Sequence, residues 1–94
     1  GESIVFYDSG GSSYNYQNNE NYNFHFYAPQ GKHLSVIFYD LNLESGLDKL
    51  TINGISNITT NYLYVTPDNY LNTTFKSDYS VTRSGWRALI SVVD

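Results

Sequence analysis

The sequence predicts an all-β protein, an antiparallel β-sandwich of two sheets. Three observations carry that expectation. Eleven Asn, eleven Ser and ten Tyr against three Glu and three Lys make a chain poor in helix formers and rich in strand and turn residues. Seven short runs of β-branched and aromatic residues recur along it, separated by turn residues at sandwich spacing. No stretch sustains the i, i+3, i+4 apolar stripe of an amphipathic helix.

The first predicted strand covers residues 3–7, and Asp8-Ser9-Gly10-Gly11 after it reads as a tight turn in which glycines supply positive φ and Asp caps its own backbone. Residues 8–21 then form a long connection with Gly10, Gly11 and four Asn. Connections of that length are uncommon unless they serve a purpose or pack upon themselves. The second strand, 22–28, stops before Pro29, and the third and fourth are 33–41 and 48–53. The fifth, 62–66, stops before Pro67, and the sixth and seventh are 70–76 and 86–93. Alternation places Leu34, Val36 and Phe38 on one face, as it does Leu50 with Ile52, Leu63 with Val65, and Trp86 with Ala88, Ile90 and Val92. These are the expected core. Asn23, His25, Tyr62, Tyr64 and Asn72 are expected on the opposite face, an assignment that a one-residue slip would invert.

A length of 94 residues fits one domain, 1–94, and 40% apolar with 15% charged residues is too hydrophobic for intrinsic disorder. A net charge of −4 leaves no basic surface for nucleic acid or an anionic membrane. The charge-free stretch 52–67 is full of Asn and Thr, so no segment resembles a membrane span. With no methionine, no signal peptide and Gly1 at its start, the chain reads as a module excised from a larger secreted protein. The absence of cysteine removes disulfides and thiol chemistry together. His25 and His33 alone are too few for a zinc site and are expected at the surface.

No catalytic residue is assigned. The string around Ser9 looks like the nucleophile segment of a serine protease, but it follows one short strand and lacks a base and an orienting group. Glu44 and Asp48 read as exposed loop acids without an apolar pocket to tune them. The chain is therefore expected to be a non-enzyme. Asn57-Ile58-Thr59 and Asn72-Thr73-Thr74 match the acceptor pattern for N-glycosylation, one that Asn/Thr-rich chains also contain by chance.

Two segments are more specific. In VIFYDLNLESGLDKLTING, Phe38 is followed by Leu41, Asn42, Leu43 and Glu44, and then by Asp48, Leu50, Ile52 and Gly54. In NYLNTTFKSDYSVTRSGW, the order is Phe75, Ser77, Asp78, Ser80, Gly85 and Trp86. With Asp8–Gly11, Tyr16 and the stretch 18–22 at the front, the chain resembles the CUB domain family, here a cysteine-free, microbial-type member. The connection from Glu44 to Asp48 is shorter than is usual in the family.

That resemblance implies a jelly-roll-type sandwich in an extracellular protein, used for binding and not for catalysis. It also implies a calcium ion held by Glu44, Asp48 and Asp78 with a contribution from Ser80. Calcium takes six to eight hard oxygens, which three carboxylates, backbone carbonyls and waters can supply. The implied partner is a protein whose Lys or Arg reaches those acids, with Tyr79 at the edge of the contact. Replacing Asp48 with Ala would then abolish the calcium effect and leave the fold intact. A second expectation, from the Tyr and Asn content, is a carbohydrate-binding or adhesive module, since aromatic faces stack on sugars and amides bond hydroxyls. Strand propensity and codon bias enrich the same residues without a ligand.

Overall fold

The computed structural model describes residues 2–11, 13–43, 47–56, 58–79 and 82–94. Its seven strands are β1 (Ser3–Tyr7), β2 (Asn21–Tyr27), β3 (His33–Asn42), β4 (Lys49–Ile52), β5 (Tyr62–Val65), β6 (Tyr70–Lys76) and β7 (Gly85–Val93). Each falls within a residue or so of a predicted run. They form two antiparallel sheets, one of four strands in the order β1-β7-β3-β5 and one of three in the order β2-β6-β4.

Alternating side chains from both inner faces interdigitate between the sheets, which is how a sandwich makes its core. Leu34, Val36 and Phe38 of β3, Leu50 and Ile52 of β4, and Trp86, Ala88 and Ile90 of β7 are all buried, as their parity predicts. Val92 is partly buried against them. Phe6 adds an aromatic junction, meeting Phe24 and Phe26 edge-on at 4.9 and 5.1 Å between centroids. Trp86 stands 4.8 Å from Phe75, so rings from both sheets lock together.

β5 reverses its expected faces. Its register sets Tyr64 opposite Val36 and Tyr62 opposite Phe38, and directly paired residues share a face. The two tyrosines therefore pack against the core, while Leu63 and Val65 point to solvent at 62% and 51% exposure. The segment YLYV is apolar at all four positions, so its own pattern carries no parity, and the neighbouring strand decides. On the other sheet, Asn23 and His25 face outward as expected, and His25 Nδ1 lies 2.6 Å from Asn72 Oδ1 on the paired strand. His33 is half-buried, not exposed, with Nδ1 2.9 Å from the Thr66 carbonyl.

Turn chemistry fixes the hairpins. Ile52 and Ile55 exchange backbone hydrogen bonds of 3.0 and 2.8 Å around Asn53-Gly54, both at positive φ (44° and 83°), the Asn-Gly pairing that two-residue hairpin loops favour. The register of β3 on β7 shifts between Phe38 and Asp40. That bulge sets Asp40 against Arg87 in an ion pair of 2.8 Å and lays the guanidinium over the Tyr39 ring at 4.4 Å.

Candidate functional site

The ends of β1, β3 and β6 and the starts of β2, β4 and β7 converge at one pole of the sandwich. The connection from β1 to β2 crosses this pole from one sheet to the other, and it is packed. Asp8 starts it as an Asx turn, with Oδ1 accepting from Gly10 N at 2.7 Å and its carbonyl accepting from Gly11 N at 3.0 Å. The second oxygen, Oδ2, accepts from Trp86 N at 3.0 Å and ties the turn to β7. Further along, Tyr16 N donates to Arg83 O (3.1 Å) and Asn19 N to Asp78 O (2.7 Å). Ser77 closes the strap on the other sheet, accepting from Glu20 N at 2.8 Å and donating to Gln17 O at 2.7 Å.

Beneath the strap lie two of the sequence-predicted acids. β4 runs antiparallel to β6 with Lys49 opposite Lys76, which brings Asp48, before β4, to Asp78, two residues after β6. Asp78 N donates to Asp48 Oδ1 at 2.9 Å, and the Tyr16 hydroxyl donates to Asp48 Oδ2. Asp48 is only 5% exposed, so the expectation of an exposed loop acid is corrected. A carboxylate carries about four acceptor sites, and two donors have already drawn this one inward. Asp48→Ala would remove the acceptor of both bonds, so the substitution is expected to cost stability and not only the calcium effect.

Asp78 is half-buried and Tyr79 is 80% exposed beside it. Glu44 and Ser80 lie outside the described residues, as does Asn57. Among the described residues, no group of three or more acids and histidines stands close enough to hold a metal. The donors that are described, Asp48, Asp78 and the Tyr16 hydroxyl, are all hard oxygens and match the chemistry of a calcium shell.

Sequence reasoning missed how the remaining acids are used. Asp8 and Glu20 are both buried, at 5% and 6% exposure. Burial pushes the Asp8 carboxyl above its ordinary range, against the two backbone donors at Gly10 and Trp86 that favour its charge, and the nearby Glu20 charge adds to the rise. Glu20 Oε1 accepts from Gln17 N at 3.3 Å, while Oε2 is buried with no hydrogen-bond partner among the described residues. The length of the 8–21 connection was the one sign of such packing. Tyr16 was visible only through the family resemblance, and nothing in its neighbours marks it as the donor to Asp48. Beside this pole, a cleft of about 390 Å³ opens between β3 and β7, lined by Tyr7, Asp40, Asn42, Ser84 and Arg87 among others.

No protein-family model matches the sequence, and no curated protein matches it either. Solved structures do. The full extracellular region of zebrafish Gpr126/Adgrg6 aligns over 97% of this chain and 14% of its own, with a TM-score of 0.87 and 19% identity. The CUB1-EGF-CUB2 region of human MASP-1/3 aligns over 98% of this chain and 42% of its own, with a TM-score of 0.83 and 19% identity. The chain thus spans a minor part of either neighbour, and at this identity the likeness concerns architecture alone. Seven strands in two antiparallel sheets, superposing over nearly the whole chain on these structures, make this domain a CUB-like β-sandwich.

Proposed function

We propose that this domain is a non-catalytic, extracellular, calcium-binding module that engages a protein partner at the strapped pole. The observation that carries the reading is the Asp48 carboxylate, buried beneath the strap and bonded to both Tyr16 and the Asp78 backbone. Glu44, Asp48, Asp78 and Ser80 would hold the ion, which would hold the carboxylates in place against their mutual repulsion. An outward-facing carboxylate oxygen then accepts a charge-assisted bond from a partner Lys or Arg, with Tyr79 flanking the contact. The extracellular assignment draws on the neighbour described as an extracellular region.

Calcium supplies the test. With a dissociation constant of ~10⁻⁴–10⁻³ M, as in extracellular modules, calcium at about ten times that value adds roughly 1.4 kcal/mol. For a chain of this size that is about 7 °C in Tm. Asp78→Asn and Glu44→Gln should lose the shift while melting cooperatively in chelator. An identical melting curve in calcium and in chelator overturns the reading.

The second reading, a carbohydrate-binding or adhesive module, is favoured by Tyr14, Tyr27 and Tyr79, each more than 70% exposed. The calcium-centred contact weakens with salt and vanishes in chelator. Sugar stacking survives both and is competed by free glycan.

A further inference from the structure

The cleft of about 390 Å³ beside the pole falls within the range of roughly 300–1,000 Å³ of small-molecule sites. Its shape follows from the strand register. Tyr7 of β1, Arg87 of β7 and Asp40 of β3 stand opposite one another in one transverse row, and the next row sets Gly85 opposite Asn42. A position without a side chain beside a row of three larger ones leaves a step in the surface, and Ser84 and Thr60 add hydroxyls to its lining.

The polar groups of the cleft are held in place before any ligand arrives. An ion pair of 2.8 Å joins Arg87 Nη2 to Asp40 Oδ2, and the guanidinium lies over the Tyr39 ring at 4.4 Å. Asn42 Nδ2 donates to Ser84 Oγ at 3.2 Å. Tyr7, Asp40, Asn42 and Arg87 all belong to strands of one sheet. Groups fixed in this way lose little freedom on binding, which lowers the cost of forming a complex.

We infer that this cleft binds a neutral sugar, one pyranose ring of a glycan. The charges of Arg87 and Asp40 cancel in their ion pair, so the cleft has no net charge with which to select an ionic ligand. Among the described lining residues Leu41 is the one aliphatic side chain, too little for an apolar ligand. What the lining offers is donors and acceptors side by side: a guanidinium with five donors, a carboxylate, an amide and two hydroxyls. A sugar hydroxyl donates and accepts at once, so neighbouring hydroxyls of a pyranose match such a set. Tyr7 supplies the aromatic surface on which the C–H face of the ring stacks. The inference rests on the carbohydrate reading and moves its sugar from the exposed tyrosines to this cleft.

Nuclear magnetic resonance titration of the ¹⁵N-labelled 94-residue chain with the methyl glycosides of glucose, galactose, mannose and N-acetylglucosamine tests this. At the binding efficiency of ordinary small ligands, a ring of about a dozen heavy atoms gives a Kd of about 1–10 mM. One of the four should therefore shift the amides of Tyr7, Asp40, Asn42 and Arg87 to saturation by about 50 mM. The Kd should be the same in calcium, in chelator and in high salt, because the ligand is uncharged. Asp40 and Asn42 are exposed, so Asp40→Ala and Asn42→Ala should each weaken binding about fivefold while leaving the melting curve close to the parent's. Asn23→Ala, on the other sheet, should leave binding unchanged. No shift with any of the four glycosides overturns the inference, as does binding that survives both cleft substitutions. Saturable shifts confined to Tyr14, Tyr27 or Tyr79 also overturn it, while leaving the carbohydrate reading itself standing.

Discussion

Removing the Tyr16 hydroxyl should destabilise the domain far more than the loss of a single oxygen from a loop would suggest. Tyr16 is 1% exposed, and its ring meets Phe75 edge-on at 4.9 Å. Tyr16→Phe preserves that packing and the apolar area it buries. What it deletes is the hydroxyl's hydrogen bonding, above all the bond to the buried Asp48 carboxylate. A hydrogen bond to a charged group contributes about 1.5–3 kcal/mol, and a buried acceptor left without its donor loses the full amount. For a domain of this size, 1 kcal/mol moves Tm by about 5 °C, so Tyr16→Phe should melt about 8–15 °C lower. Circular dichroism melts give the shift, and urea titrations should show a lower midpoint with an unchanged slope. A cycle with Asp48→Asn isolates the pair, and coupling of about 1 kcal/mol or more is expected for residues in one hydrogen-bond network. A Tyr16→Phe melt within about 2 °C of the parent, or zero coupling in the cycle, would refute the account of the strapped pole as cooperatively held.

Three further substitutions probe the same pole. Because the folded-state pKa of Asp8 is raised above 3.8, its contribution is fully present below pH 3.8 and is lost as pH rises through the raised value. The stability difference between parent and Asp8→Asn should accordingly move in favour of the variant from pH 3.5 to 6.5, and urea titrations at both pH values check the sign. Gly85 has φ 79° and a Cβ there would collide with the Asp8 carboxylate, whereas Gly11 has φ 64° with open space around it. Gly11→Ala should thus cost only backbone strain, about 1–2 kcal/mol. Gly85→Ala adds the displaced Asp8–Trp86 bond and should cost about 3 kcal/mol or more, an ordering that thermal melts of the two variants check.

Strand positions were legible in the sequence because two-residue alternation is imposed locally, by the pleat itself. The β3 and β7 faces could be read because Ser35, Ser91 and Arg87 interrupt their apolar residues and mark the outside. β5 offered no such polar marker, so only its pairing with β3 set the inward face. The meeting of Asp48 with Asp78 was legible through the family resemblance and not through hairpin counting, since β4 and β6 pair across an intervening strand of the other sheet. The burial of Asp48, Asp8 and Glu20 had no local signature. An acid is kept inside by donors brought from distant segments, here Tyr16 and the backbones of Asp78 and Trp86, and such donors have no periodicity to read. Glu44 and Ser80 remain assigned through the resemblance.

The strand order also bears on how the chain can fold as it is synthesised. Among the described residues, β1 pairs only with β7, and both β2 and β4 pair only with β6. Of all the strand pairs, β3 with β5 alone is complete before β6 emerges. Earlier segments therefore wait, with Phe6, Phe24 and Phe26 uncovered, for partners encoded in the last quarter of the chain. Closing β1 onto β7 also spans almost the whole polypeptide, and long closures carry the larger entropic cost and the slower rate. A ribosome-bound chain that stops short of β6 has a single four-residue pairing to hold, and its exposed aromatic strands are the ones most exposed to aggregation or chaperone capture.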